Sequence, residues 1–240
     1  MLPELTALLE QVPDGSDRVA FRKLVIGDNL FARPSLRSRE KIWKALIARY
    51  LLDPATLPFK VFVRHYRDES SPSQRALLAY LLFSINDTLF FDLNRYWLPE
   101  QLQYPSLQVT SADLEKFFEG HLERSHPEVR TWSESTRTNI LRHYLTALRD
   151  FGFAEGKRRK SIIRPVVGPS AALFVCDYEL SRGVKPRRVL ESDLLTILGL
   201  NLEGVVGLLF ELNASGTSRP VPCAKASRSR KTRRPPSACS

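Results

Sequence analysis

The chain has 240 residues, of which 43% are hydrophobic and 26% are charged, the proportions of an ordinary soluble globular protein with a sizeable core. The formal net charge is +10, which suggests an anionic partner. Seven of the basic residues lie in the acid-free stretch after Gly216, so the rest of the chain carries a net charge of only +3.

The sequence lacks the motifs of several common protein classes. It contains no phosphate-binding loop, dinucleotide-binding glycine motif, serine-hydrolase motif or H-E-x-x-H zinc motif. The three cysteines are far apart, which argues against a metal site and favours a reduced, cytoplasmic protein. The longest apolar run, residues 76–85, is shorter than the roughly 20 residues that span a bilayer. We therefore expect a cytoplasmic protein that is not an enzyme and has no cofactor, metal site or membrane segment.

Four helices are predicted in the first half of the chain. Residues 2–10 form a short amphipathic helix, residues 17–25 a second, and residues 35–52 a third. The segment at residues 74–91 is apolar on nearly every side, which is typical of a helix in the middle of a bundle.

The third of these helices has a basic outer face. Ser35 or Ser38 can cap its start. Its apolar stripe consists of Ile42, Trp43, Leu46, Ile47 and Tyr50, and its outer face carries Arg37, Lys41 and Lys44. The pattern fits two interpretations equally well: a solvated face on a bundle helix, or a surface that contacts DNA.

A second set of elements follows a linker at residues 99–105. We expect this linker to separate an N-terminal half, residues 1–98, from a C-terminal half, residues 106–216. Thr110 or Ser111 can cap a helix to about residue 124, which the pair His126-Pro127 ends.

The next helix and the ribbon after it are the most informative stretch. Thr131 and Glu134 have capping-box spacing, and Ser133 is an alternative N-cap. Gly152 can end the helix in a left-handed conformation. The apolar stripe is Ile140, Leu141, Tyr144, Leu145 and Leu148, and the outer face carries Ser135, Asn139, Arg142, Thr146 and Arg149.

The ribbon comprises two short strands around a basic turn. The first strand starts at Phe153, Gly156 allows the turn, and residues 162–167 return as the second strand. The turn carries Lys157, Arg158, Arg159 and Lys160. A capped helix followed by a basic hairpin meets the needs of a winged helix-turn-helix, in which the helix enters a major groove and the ribbon lies on phosphates. The alternative is a surface amphipathic helix and a solvated charged loop.

The two basic helices share a pattern at an offset of 98 residues. Arg37, Lys41 and Lys44 then correspond to Ser135, Asn139 and Arg142. Arg39 corresponds to Arg137, which points nearer the core, so we expect this pair to brace its turn. The end of the chain adds an apolar stretch at residues 202–212 and, from residue 217, an Arg/Ser/Pro/Lys tail that we expect to be disordered.

Three stretches resemble the BrxA family of bacteriophage-exclusion (BREX) defence systems. They are D-N-L-F-A-R-P-S-L-R-S-R-E-K-I-W-K-A-L-I-A-R-Y at residues 28–50, W-S-E-S-T-R-T-N-I-L-R-H-Y-L-T-A-L-R-D-F-G-F at 132–153 and L-E-S-D-L-L-T-I-L-G-L-N-L-E-G-V-V-G-L-L-F-E-L at 190–212. The resemblance covers the chain from about residue 18 to residue 216. In two respects the chain departs from the family: its N-terminus is shorter, and the tail replaces strand-like sequence. We therefore expect a frameshift or truncation after Gly216.

The resemblance implies an all-α helical bundle with two helix-turn-helix units, the second winged by a short β-ribbon, in an arrangement similar to the antitermination factor NusB. It implies a non-enzymatic, double-stranded DNA-binding component that works with other BREX proteins, and it is compatible with a monomer. The implied DNA-contacting residues are Arg37, Arg39, Lys41, Lys44, Ser135, Thr136, Arg137, Asn139, Arg142, Lys157, Arg158, Arg159 and Lys160. The alternatives are a protein-interaction hub of the defence complex and a NusB-like RNA-binding factor.

Overall fold

The computed structural model describes residues 1–104, 108–157 and 159–214, and this part of the chain is predominantly helical. The prediction of an all-α helical bundle is thereby confirmed. The tail predicted from residue 217 and the candidate residue Arg158 lie outside the described residues.

The first three helices lie close to their predicted positions, and a fourth helix that was not predicted follows them. They are α1 (Leu2–Gln11), α2 (Arg18–Arg22, continued by a π-helical turn at Lys23–Gly27), α3 (Leu36–Tyr50) and α4 (Leu57–Asp68). Ser35 and Ser38, the alternative caps of α3, act together. The Ser35 hydroxyl accepts a hydrogen bond from the Ser38 amide at 3.2 Å, and the Ser38 hydroxyl accepts one from the Ser35 amide at 3.4 Å. This capping box fixes the first turn of the basic helix.

The apolar segment forms two helices and not one. Helix α5 (Pro72–Asn86) is buried from Ala76 to Ser84, as expected of a central helix. Asp87 then interrupts it, because its carboxylate accepts a hydrogen bond from the Phe90 amide at 2.8 Å and caps α6. The chain continues through α6 (Thr88–Asp92), a π-helical turn (Leu93–Trp97) and α7 (Leu98–Gln101), so the prediction of one helix to residue 91 was wrong.

None of the helices in the described ranges is by itself long and apolar enough to cross a membrane. One pair, Pro72–Asn86 with Thr88–Gln101, meets the criterion of length and composition together, although the two parts are bent by 113°. The helix Pro72–Asn86 is the buried central helix of the bundle.

A second set of helices follows a short strand. It comprises β1 (Gln108–Val109), α8 (Ser111–Phe117, continued by a π-helical turn at Phe118–Leu122), α9 (Glu123–Ser125), a 3-10 turn (Pro127–Thr131) and α10 (Glu134–Asp150). The cap of α10 is Ser133, whose hydroxyl accepts from the Thr136 amide at 3.2 Å. Thr131 instead donates to the Glu128 carbonyl, so Ser133, the alternative candidate, is the cap.

The predicted ribbon is present and belongs to a small sheet, although its second strand covers Lys160–Ile162 rather than residues 162–167. β2 (Ala154–Glu155) pairs antiparallel with β3 (Lys160–Ile162), and β1 pairs with the other edge of β3, giving the order β1-β3-β2. Gly152 and Gly156 both have positive φ, at 87° and 90°. A side chain at Gly156 would collide with the Arg159 carbonyl, so the tight turn requires glycine there.

The core joins α5 to α10 and the ribbon through aromatic rings. Tyr80 lies 4.5 Å from Phe153 between ring centroids, and Phe83 stacks on Phe90 at 4.0 Å. A buried polar chain crosses the same interface. The Tyr144 hydroxyl donates to the Asn94 carbonyl oxygen at 2.9 Å, and the Asn94 amide donates to Ser84 at 3.3 Å. These bonds fix α10 relative to α5, because breaking one would leave a buried polar group without a partner.

The chain divides into two compact units, Met1–Val166 and the residues from Val167 on. The boundary predicted at residues 99–105 falls inside the first unit. The second unit comprises α11 (Pro169–Ser181), α12 (Pro186–Val189), α13 (Asp193–Thr196) and α14 (Leu202–Ala214). Its buried Glu179 accepts a hydrogen bond from the Ser192 hydroxyl at 2.7 Å and ties α11 to the start of α13.

Candidate nucleic-acid interface

Helix α3 presents a cationic face to solvent. Arg37, Lys41 and Lys44 are exposed along its outer side, and Trp43, Leu46 and Tyr50 anchor the opposite side in the core. Within the described residues none of these three cations has an ion-pair partner. Their full charge is therefore available to an external anion.

Helix α10 presents a matching face that is less charged. Ser135, Thr136, Asn139 and Arg142 are exposed. Ser135 and Thr136 also hydrogen-bond through their hydroxyl groups to the capping Ser133, at 3.0 and 2.9 Å. Arg142 has no carboxylate partner among the described residues, so this face carries one free cation and a set of hydrogen-bonding groups at the helix start.

The corresponding residues Arg39 and Arg137 face inward and hold their helices in place. Each lies four residues after the capping serine of its helix. Arg39 donates to the Ile26 carbonyl at 2.6 Å, which joins α3 to the end of the preceding helical segment. The Arg137 guanidinium lies 3.8 Å from the Glu115 carboxylate and 3.6 Å from the Glu123 carboxylate. The bracing expected from the sequence is present in both.

The basic turn of the ribbon divides in the same way. Lys157 and Arg159 are exposed. Lys160 is only 9% exposed, and its ammonium donates to the Lys157 carbonyl at 3.3 Å, closing the turn from within. Arg158 lies outside the described residues. Two side chains of the turn are thus placed to meet an external partner.

The two cationic helices border a common cleft that was not predicted from the sequence. A recess of about 240 Å³ has Ala45 and Ala48 of α3 on one wall and Ile140 and His143 of α10 on the other. Residues 45 and 143 occupy the same position at the 98-residue offset. Helices α3 and α10, which carry the two cationic faces, therefore border one recess in the same unit.

A second cavity, of about 620 Å³, lies between α8 and the start of α10 and has an acidic lining. Glu115, Glu119 and Glu134 line it together with Lys116 and Arg137, so the carboxylates outnumber the cations. Carboxylates repel a phosphate backbone, so this cavity marks a limit of any anion-binding surface. Nearby, hydrogen bonds from the Thr110 amide and hydroxyl lower the pKa of the capping Asp113.

Burial shifts the pKa of tyrosines in the described part of this unit. Burial raises the pKa of Tyr80 and of Tyr144 well above the usual value, so both phenols stay neutral. Among the residues that the structure covers, no group of three or more His, Cys, Asp or Glu is placed to hold a metal ion. His126 is buried and bonded to Asp92 at 2.9 Å, which anchors the segment before α10.

Neither curated proteins nor solved structures give a significant match to this chain. The family model named BrxA matches residues 1–175, which span α1 to the first half of α11 and contain both cationic helices and the ribbon. The matched region is well over half of the chain, which therefore belongs to the BrxA family and has a BREX-associated function.

Proposed function

We propose that the chain binds double-stranded DNA as a non-enzymatic component of a BREX phage-defence system, working with other BREX proteins. The observation that carries the proposal is the pair of exposed cationic faces on α3 and α10, two helices that border one recess. Cations without internal partners can replace the counterions of a phosphate backbone, which supplies most of the affinity in sequence-independent DNA binding.

The order of the elements around α10 supports the same proposal. The chain runs through β1, α8, α9, a 3-10 turn, α10, β2 and β3, and the strand order is β1-β3-β2. A winged helix-turn-helix has the same strand order, which supports the proposal. In such a unit α10 would enter the major groove, and the turn with Lys157 and Arg159 would lie against phosphates. The unit of α2 and α3 would be the first helix-turn-helix.

The proposed contact set is narrower than the set carried over from the resemblance. We assign phosphate contacts to the exposed cations and polar contacts to the exposed hydroxyl and amide groups of α10. The contact set is Arg37, Lys41, Lys44, Ser135, Thr136, Asn139, Arg142, Lys157 and Arg159. Arg39, Arg137 and Lys160 are assigned to positioning, because their cationic groups already bond within the chain.

The test is a salt titration of duplex binding by the double variant Lys44→Glu/Arg142→Glu. Losing two phosphate contacts should reduce the steepness of the plot of log association constant against log salt concentration by about 2. It should also weaken binding at least about tenfold. The loss should be equal on two unrelated duplexes, because phosphate contacts carry no sequence information. Lys60→Glu/Arg187→Glu, which changes the net charge equally at two exposed positions elsewhere, is the matched control.

Two outcomes would contradict the proposal. One is equal affinity of the double variant and its control, which would show that net charge alone governs binding. The other is stronger binding of structured RNA than of duplex DNA in direct competition, which would favour an RNA-binding factor.

A further inference from the structure

The recess between α3 and α10 has an apolar lining that a DNA-binding face does not require. Phe83 and Phe90 of the central bundle contribute to it, and Leu89 and Ile140 are incompletely buried around it. The α3 wall is made of Ala45 and Ala48, whose small side chains leave the space open. Apolar surface left accessible to water in a preformed recess favours the binding of an apolar group.

The surroundings of the recess are positively charged. Lys41 and Lys44 lie one helical turn before Ala45 and Ala48 on α3, and Arg142 is next to His143 on α10; all three are exposed. Arg49 also lines it, with the guanidinium carbon 5.5 Å from the centre of the Phe83 ring. The acid in the lining is Asp87, and its carboxylate already accepts the Phe90 amide. The recess thus combines an apolar interior with a cationic border.

Duplex DNA satisfies only half of this description. A duplex offers phosphates to the cationic border, but its bases are stacked and paired, and placing one in the recess would require extruding it at a cost of a few kcal/mol. An acidic peptide offers carboxylates to the same cations and can also insert a leucine or phenylalanine side chain. A single side chain of this kind suits a recess of about 240 Å³.

We propose that the recess between α3 and α10 binds an acidic segment of a partner protein, which inserts one bulky apolar side chain between the helices. The inserted group contacts Phe83, Phe90 and Ile140, and the flanking carboxylates meet Lys44 and Arg142. Because the peptide and DNA would use the same cations, binding of one excludes the other. The peptide site does not depend on the proposed DNA binding.

The test uses a fluorescent glutamate-rich peptide in which one central residue is Ala, Leu, Phe or Trp. Affinity for the full chain should rise roughly tenfold or more from Ala to Leu or Phe, because that side chain leaves water. Ala48→Trp fills the recess from an exposed position and should abolish this gain. Ala112→Trp places the same side chain at an exposed position on α8, in the acidic cavity, and should retain it.

Two results would overturn the inference: equal affinity for all four peptides, or the same gain in Ala48→Trp as in Ala112→Trp. Duplex binding by the same proteins separates this inference from the proposed function. Weaker binding of every peptide with duplex binding intact in Lys44→Glu/Arg142→Glu would refute DNA binding at these helices and support the recess. If the double variant loses duplex binding and the unmodified chain binds all four peptides equally, the recess inference is refuted and the proposed DNA binding stands.

Discussion

At the scale of single residues, the structure separates arginines that look equivalent in the sequence. Arg137 and Arg142 lie on the same helix, five residues apart, and both are candidates for DNA contact. Arg137 is only 18% exposed and faces two carboxylates, whereas Arg142 is exposed and has no such partner in the described part of the chain. The helical period rather than the residue type decides which role each can have.

We expect Arg137→Met to affect stability but not duplex binding, and Arg142→Met to affect duplex binding but not stability. Arg137→Met should lower the free energy of unfolding by about 1 kcal/mol, since it removes a largely buried brace between α10 and the preceding helices. It should leave the salt slope of duplex binding unchanged. Arg142→Met should lower that slope by about 1 and leave stability unchanged. Urea unfolding and salt titration measure the two quantities. A reduced slope with unchanged stability in Arg137→Met would show that this arginine binds phosphate.

At the scale of elements, the sequence predicts what local interactions determine. The start of α3 at Ser35 and the left-handed Gly152 after α10 follow from side chains and backbone within a few residues, and both are confirmed. Strand β1 was not predicted, because its two residues pair with β3 more than 50 positions later. The recess was missed for the same reason, since Ala45 and His143 come to border one recess only through the packing of α3 and α10 on the central helices.

The start of α10 gives an element-scale prediction. Ser133→Ala should lower the free energy of unfolding by about 1 kcal/mol, because the Thr136 amide loses its cap. Thr131→Ala, which removes the other candidate cap, should lower the free energy of unfolding by less, because Thr131 is exposed and its hydroxyl donates to the Glu128 carbonyl in the preceding turn. Chemical denaturation of both variants provides the comparison. A larger loss in Thr131→Ala than in Ser133→Ala would move the helix start upstream.

At the scale of the whole molecule, the net charge is a poor guide to the location of the interface. Seven of the ten surplus positive charges come from residues after Gly216, whereas both cationic helices lie in the unit that ends at Val166. That unit also has an acidic cavity beside α10. The surface charge therefore changes sign over a short distance. The affinity of a localised face for an anion depends more on where its cations lie than on the net charge of the chain.

Stopping the chain after Gly216 tests whether this face or the total charge determines duplex binding. The shortened protein has a net charge of +3 and retains α3, α10 and the ribbon. We expect it to bind duplex DNA with a salt slope close to that of the full chain, because the proposed phosphate contacts lie in the helical unit. Lys44→Glu/Arg142→Glu should weaken the shortened and full-length proteins by the same factor. If the shortened protein no longer binds, or if the double variant affects only the full chain, the terminal cations are the source of affinity. The faces of α3 and α10 would then remain available to the acidic partner proposed for the recess between them.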